Sequence, residues 1–129
     1  MKKIRPLLLL VPLLFSCEKA LHVKTPDITI DGNAQTVIMK ATPTFDIYLI
    51  WGWSYNENGD LVMDNYPLNE TDWVSDFVGE WFEVHSDREN HQLARLTVSE
   101  NNSGLPRKLT IEIQYKGKGD IIRITQNPL

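Results

Sequence analysis

The stretch FDIYLIWGWSY, residues 45–55, decides the fold. Phe45, Ile47, Leu49, Trp51, Trp53 and Tyr55 take every second position, the period of a β-strand whose alternate side chains share a face. Read without interruption, that period predicts Trp51 in the core and Trp53 in the core or at its edge. Asn56, Asn58 and Gly59 follow, residue types that tolerate the positive φ of a hairpin, and residues 60–64 return as the next strand. Upstream, Ile28 and Ile30 flank Thr29, Gly32 and Asn33 make a turn, and Val37, Met39 and Ala41 alternate with Thr36, Ile38 and Lys40. Downstream, strands are predicted over 81–85, 92–98, 109–115 and 121–125, with a glycine-containing turn at 116–119. One segment departs from period two. Asn69 suits a helix cap, acidic residues follow it, Trp73/Phe77 and Val74/Val78 are i, i+4 pairs, and Gly79 is a fitting stop. This predicts a short helix over 70–78. Seven to eight short strands and one short helix indicate an all-β, antiparallel two-sheet sandwich.

The N-terminus carries an address. Lys2, Lys3 and Arg5 precede residues 6–15, PLLLLVPLLF, which are wholly apolar. Ten helical residues span about 15 Å, half of a bilayer core of about 30 Å, so the segment reads as a secretion signal and not as a membrane span. Leu14, Phe15, Ser16 and Cys17 then resemble the bacterial lipobox. That resemblance implies cleavage before Cys17, a diacylglycerol on its thiol and an acyl chain on its new amine, enough to hold a small domain on a membrane. The plainer reading is an ordinary secretory signal with an incidental Cys. On the lipobox reading, residues 1–16 are a signal peptide, 17–26 a lipidated tether and 27–129 the sandwich. The expected location is the cell envelope, on the outer membrane, with periplasmic leaflet or cell surface undecided.

The whole chain has 129 residues and a formal charge of −4; from Cys17 onward it has 113, with 10 basic and 17 acidic side chains, a balance of −7. That acidity argues against nucleic acid as a partner, since phosphate binding needs a clustered basic face. A single Cys excludes an intrachain disulfide framework and a multi-Cys zinc site. If Cys17 is lipidated no thiol nucleophile remains, and neither a Gly-x-Ser-x-Gly elbow nor a His-Glu-x-x-His helix is present. No enzyme activity, cofactor or metal is therefore expected. Glu83, His85, Asp87, Glu89 and His91 alternate, but Ser86, Asp87, Glu89 and Asn90 are turn formers. The run reads as a strand end and loop before it reads as a zinc site.

The C-terminal half carries a second resemblance. Trp81 leads a strand, Asn101, Ser103, Gly104 and Arg107 form a loop opening the alternating run Leu109, Ile111 and Ile113, and Thr125 and Gln126 close the last strand. This pattern resembles the BACON domain (Bacteroidetes-associated, carbohydrate-binding, often N-terminal). Asn102 stands where the family usually has Thr, Ile124 where it has Val, and residues 56–78 are longer than the family pattern. The resemblance implies an immunoglobulin-like sandwich in an exported protein of a carbohydrate-foraging bacterium. The family's sugar-binding role is itself inferred from the company it keeps, and some members look like spacers. The matched residues Trp81, Asn101, Gly104, Arg107 and Gln126 read as determinants of the fold, since Asn and Ser satisfy turn amides and an Arg opening a strand can bond carbonyls or a carboxylate.

Candidate ligand contacts lie elsewhere. Residues 41–90 hold all four Trp, and 11 acidic side chains against one basic. Trp53, Tyr55, Tyr66 and Trp73 fall near the hairpin among Asp60, Asp64 and several Asn. Flat aromatic faces beside Asp and Asn suit a sugar, whose C–H faces stack while its hydroxyls need polar partners. The C-terminal third differs, with six basic and three acidic side chains over 91–129. The expectation is a non-catalytic, lipid-anchored binding module for glycan or for a partner in a glycan-handling complex. The alternative is a structural, protein-interaction or spacer lipoprotein without sugar binding.

Overall fold

The computed structural model describes residues 20–56, 58–67, 76–87 and 89–129. Among them run ten strands: β1 (His22–Val23), β2 (Asp27–Ile30), β3 (Gln35–Thr42), β4 (Asp46–Tyr55), β5 (Leu61–Pro67), β6 (Asp76–Val78), β7 (Phe82–Ser86), β8 (Leu93–Val98), β9 (Arg107–Tyr115) and β10 (Lys118–Gln126). They form two five-stranded sheets, β1-β3-β8-β7-β6 and β2-β10-β9-β4-β5. All pairings are antiparallel except that of β2 with β10. This is the immunoglobulin-like sandwich, in which the first strand divides between the sheets and its second half runs beside the last strand.

Alternation explains the core. Met39 and Ala41 from β3, Val84 from β7 and Ala94, Leu96 and Val98 from β8 are buried on one sheet; Leu109, Ile111, Ile113, Ile122 and Ile124 are buried on the other. Their intervening neighbours point to solvent, as period two requires.

Three expectations are corrected. Phe45 and Ile47 do face the core, but the β4–β9 register slips between Ile47 and Leu49, so Tyr48 is an extra residue in a β-bulge. Beyond a bulge the alternation changes phase. Ile50 and Gly52 become the buried positions, while Leu49, Trp51, Trp53 and Tyr55 take the opposite, outer face. The apolar stripe of 45–55 is therefore two stripes on two faces.

The expected helix over 70–78 is also revised. Residues 70–75 lie outside the described residues, and Asp76–Val78 is strand β6, with Phe77 opposite Val84. Phe77 is 6% exposed and Val78 63%, the opposite faces that adjacent strand residues take. A Cβ at Gly79 would lie 2.5 Å from the Phe82 ring, so glycine alone fits the β6–β7 turn, where its N–H bonds the Phe82 carbonyl at 2.8 Å. Finally, His22 and Val23, placed in the tether, pair with Thr42 and Ala41, and Val23 is buried.

Candidate functional site

The bulge creates the site. From Tyr48 onward, β4 presents aromatic rings on the outer face of the β2-β10-β9-β4-β5 sheet. The Trp51 indole N–H donates to Glu112 Oε2 at 3.1 Å, and the Tyr48 hydroxyl donates to Oε1 of the same carboxylate at 3.4 Å. Partial burial, then the Glu112 charge, raise the Tyr48 phenol above its ordinary pKa. Glu112 thus ties the bulge to the first Trp of the stripe.

Further along β4, Trp53 stands between Met63 of β5 and Lys108 of β9, and Tyr55 stands opposite Leu61. Trp53, Tyr55, Leu61, Leu105, Pro106 and Lys108 line an open groove of about 500 Å³. Its apolar walls are exposed: Tyr55 by 38%, Leu61 by 54% and Leu105 by 42%, with Met63 beside it at 56%. The hairpin beyond is built by Asn56, whose Oδ1 accepts the N–H groups of Asn58 at 3.0 Å and Asp60 at 2.9 Å, while Gly59 takes φ +82°. Asp60 is an exposed residue of this hairpin.

The structure brings together only part of the expected set. Trp53 and Tyr55 share the groove. In the β4–β5 register Asp64 pairs with Gly52 and Tyr66 with Ile50, whereas Trp53 pairs with Met63 and Tyr55 with Leu61. Trp73 and Cys17 lie outside the described residues. Leu61, Leu105, Pro106 and Lys108 were not singled out in the sequence, although an adjacent Leu and Pro in a turn-rich loop is a legible sign of an apolar loop surface.

The residues of the C-terminal pattern form a second constellation, folded inward. Trp81 is 7% exposed, packs edge-on to Phe82 at 5.2 Å and lies under the Arg107 guanidinium at 4.3 Å. Arg107 Nε–H donates to Gln126 Oε1 at 2.8 Å, and its Nη2 donates to the carbonyls of Ser99 at 2.7 Å and Glu100 at 3.1 Å. Burial pushes the guanidinium down to about 10, which leaves it charged at neutral pH. Gln126, fully buried, donates from Nε2 to the carbonyls of Ser99 and Asn33 at 3.0 and 3.3 Å. Asn101, also fully buried, donates to the carbonyls of Leu105 at 2.8 Å and Gln126 at 3.2 Å, and its Oδ1 accepts the Ser103 hydroxyl at 2.6 Å. Gly104 takes φ +79° in the same loop. These bonds fix the loop that carries Leu105 and Pro106 against the groove.

The His/Asp/Glu run is occupied by ordinary contacts. His85 Nδ1 lies 2.8 Å from Asp76 Oδ1 and its Nε2 3.4 Å from Glu83 Oε2. Asp87 caps the following turn by accepting the Glu89 and Asn90 N–H groups at 2.9 Å, and pairs with Arg95 at 3.1 Å. Among the described residues no three His, Cys, Asp or Glu side chains gather to hold a metal.

No family model matches the sequence, nor does any curated protein. In fold, the chain is similar to a protein from Bacteroides thetaiotaomicron solved by NMR, with a TM-score of 0.60 and 11% identity over 87% of this chain and 90% of that one. It is also similar to part of a Bacteroides ovatus GH5 xyloglucanase solved with a XXXG heptasaccharide, with a TM-score of 0.53 and 15% identity over 85% of this chain but 19% of the enzyme. Titin domain M7 aligns with a TM-score of 0.46 and 12% identity over 84% of this chain and 93% of that one.

Proposed function

We propose that the chain is a non-catalytic binding module of the bacterial envelope, lipid-anchored at Cys17, that takes up a glycan in the groove of Trp53 and Tyr55. The observation that carries this reading is the bulge at Tyr48, which turns a stripe of aromatic rings out of the core and onto an open sheet face. Solvent-facing rings are costly to keep unless something covers them, and a pyranose ring covers one with its C–H face. The Lys108 ammonium and the Thr110 hydroxyl, on the strand beside the stripe, offer hydrogen bonds to sugar oxygens. The resemblance to BACON domains and the fold shared with part of a xyloglucanase point the same way.

The test is a polysaccharide panel read by Trp fluorescence and by retardation in glycan-loaded gels, using the mature protein. Trp53→Ala is expected to weaken binding about tenfold or more, equivalent to about 1.4 kcal/mol, while leaving the urea midpoint nearly unchanged. Trp81→Ala, by contrast, is expected to lower the midpoint sharply. If no polysaccharide shifts the fluorescence, or Trp53→Ala alters stability alone, the glycan reading fails. In that event the exposed Leu61, Met63 and Leu105 favour the protein-interaction reading for the same face.

A further inference from the structure

The opposite corner of the molecule holds a pairing that the binding function leaves unexplained. The β1–β3 register matches His22 with Thr42 and Val23 with Ala41, and one step on the Lys24 N–H bonds the Lys40 carbonyl at 3.0 Å. Lys24 and Lys40 are therefore direct cross-strand neighbours, both exposed, on the outer face of their sheet. Like charges in this position repel and destabilise the pairing. Here Lys24 directly follows the two-residue edge strand β1, and Lys40 stands on β3.

Among the described residues nothing neutralises the pair. A groove of about 350 Å³ is lined by His22, Lys24, Lys40, Asn90 and Gln92 with neighbours on β3 and β8, and a second of about 280 Å³ by Lys24, Thr25, Ile28 and Lys40 with Ile38 and Met39 of β3. Neither lining includes a carboxylate, and among the described residues neither lysine takes part in an ion pair. In a chain whose mature side-chain balance is −7, two adjacent unneutralised lysines flanked by amide side chains form a socket for an anion.

The position identifies the anion's source. His22 lies five positions beyond Cys17, so the chain from one to the other reaches at most about 18 Å. We propose that the Lys24–Lys40 groove seats the phosphate of an anionic phospholipid headgroup in the membrane that holds the Cys17 acyl chains. The inference rests on Cys17 being lipidated, and is independent of whether the far groove binds glycan. It assigns the domain an orientation: this corner faces the bilayer.

The experiment uses the mature lipoprotein in vesicles of phosphatidylcholine alone or of phosphatidylcholine with phosphatidylglycerol. An amine-acylating reagent is applied and the modified lysines are read by mass spectrometry, with Lys108 as the distant control. Lys24 and Lys40 are expected to react at least about fivefold more slowly in the anionic vesicles, and to recover at high salt, with Lys108 unaffected. The urea midpoint is expected to rise in anionic vesicles for the wild type and not for Lys24→Gln/Lys40→Gln, which loses the repulsion along with the site. Equal reactivity in the two lipids overturns the proposal. Equal protection by inorganic phosphate in neutral vesicles makes the groove a site for free anions and overturns the lipid assignment. An intact mass without acyl groups on Cys17 overturns it as well. Failure of the glycan panel bears on none of these readouts.

Discussion

Gly32 and Gly52 are both buried, and a methyl group would meet opposite surroundings at the two. At Gly52 a Cβ would lie 3.5 Å from Leu109 and 3.6 Å from Phe82, ordinary contact distances. Gly52→Ala is expected to leave stability unchanged or raise it by up to about 1 kcal/mol, because the unfolded chain loses freedom. At Gly32 the Cβ would collide with the backbone of Leu129 and Pro128, so Gly32→Ala is expected to cost about 1–3 kcal/mol. Urea denaturation of the two variants checks both signs. Arg107 makes a sharper case. Its planar fork serves Gln126, two carbonyls and the Trp81 face at once, which a Lys ammonium cannot imitate. Arg107→Lys is expected to destabilise by about 2 kcal/mol in the same measurement, since it leaves the buried Gln126 Oε1 without its donor.

At the scale of elements, the bulge in β4 makes a prediction that separates it from an unbroken strand. Ile50→Ala is expected to cost about 2–5 kcal/mol and Leu49→Ala under about 1, where uninterrupted alternation from Phe45 would reverse the order. Thermal or urea unfolding of the pair decides it. The β6–β7 pairing carries a pH dependence. The hydrogen bond to Asp76, and less strongly the contact with Glu83, raise the His85 pKa above its ordinary 6.5, against an opposing effect of burial. A base whose folded pKa is raised contributes stability that is full below about 6.5 and lost as pH rises through the folded value. An NMR titration is expected to place His85 above 6.5 in the wild type and closer to it in Asp76→Asn. Much of this layer was legible in the sequence: the runs of β3, β9 and β10 show their buried faces by alternation alone. The bulge was not, because an extra residue changes the phase of a strand without changing its composition. Half the groove escaped for a related reason. Trp53 and Tyr55 announce themselves as aromatics, but Lys108 and Leu105 reach them only through the β4–β9 register, some fifty residues along the chain. At 76–78 the helix expectation gives way to strand because the apolar spacing there fits either period, and the pairing of Phe77 with Val84 decides it.

For the molecule as a whole, the strands set two poles. β3 ends at Thr42 and β4 starts at Asp46, so both meet at the pole where β1 begins; β4 then runs about 30 Å to Tyr55 and the groove. Replacement of Cys17 by Ala is expected to leave uncleaved precursor and release nothing lipidated, a result read by intact mass and by detergent partitioning. The division of the N-terminal strand has a further, mechanical meaning. β1 is stitched to the first sheet and β2 to the second, and β2 lies parallel to β10. A pull on the N-terminus, resisted at the far groove, therefore runs along the strands and is shared between both sheets. It loads the short β1–β3 and β2–β10 ladders in shear, each ladder's bonds together, where a hairpin pulled from its open end would yield them one by one.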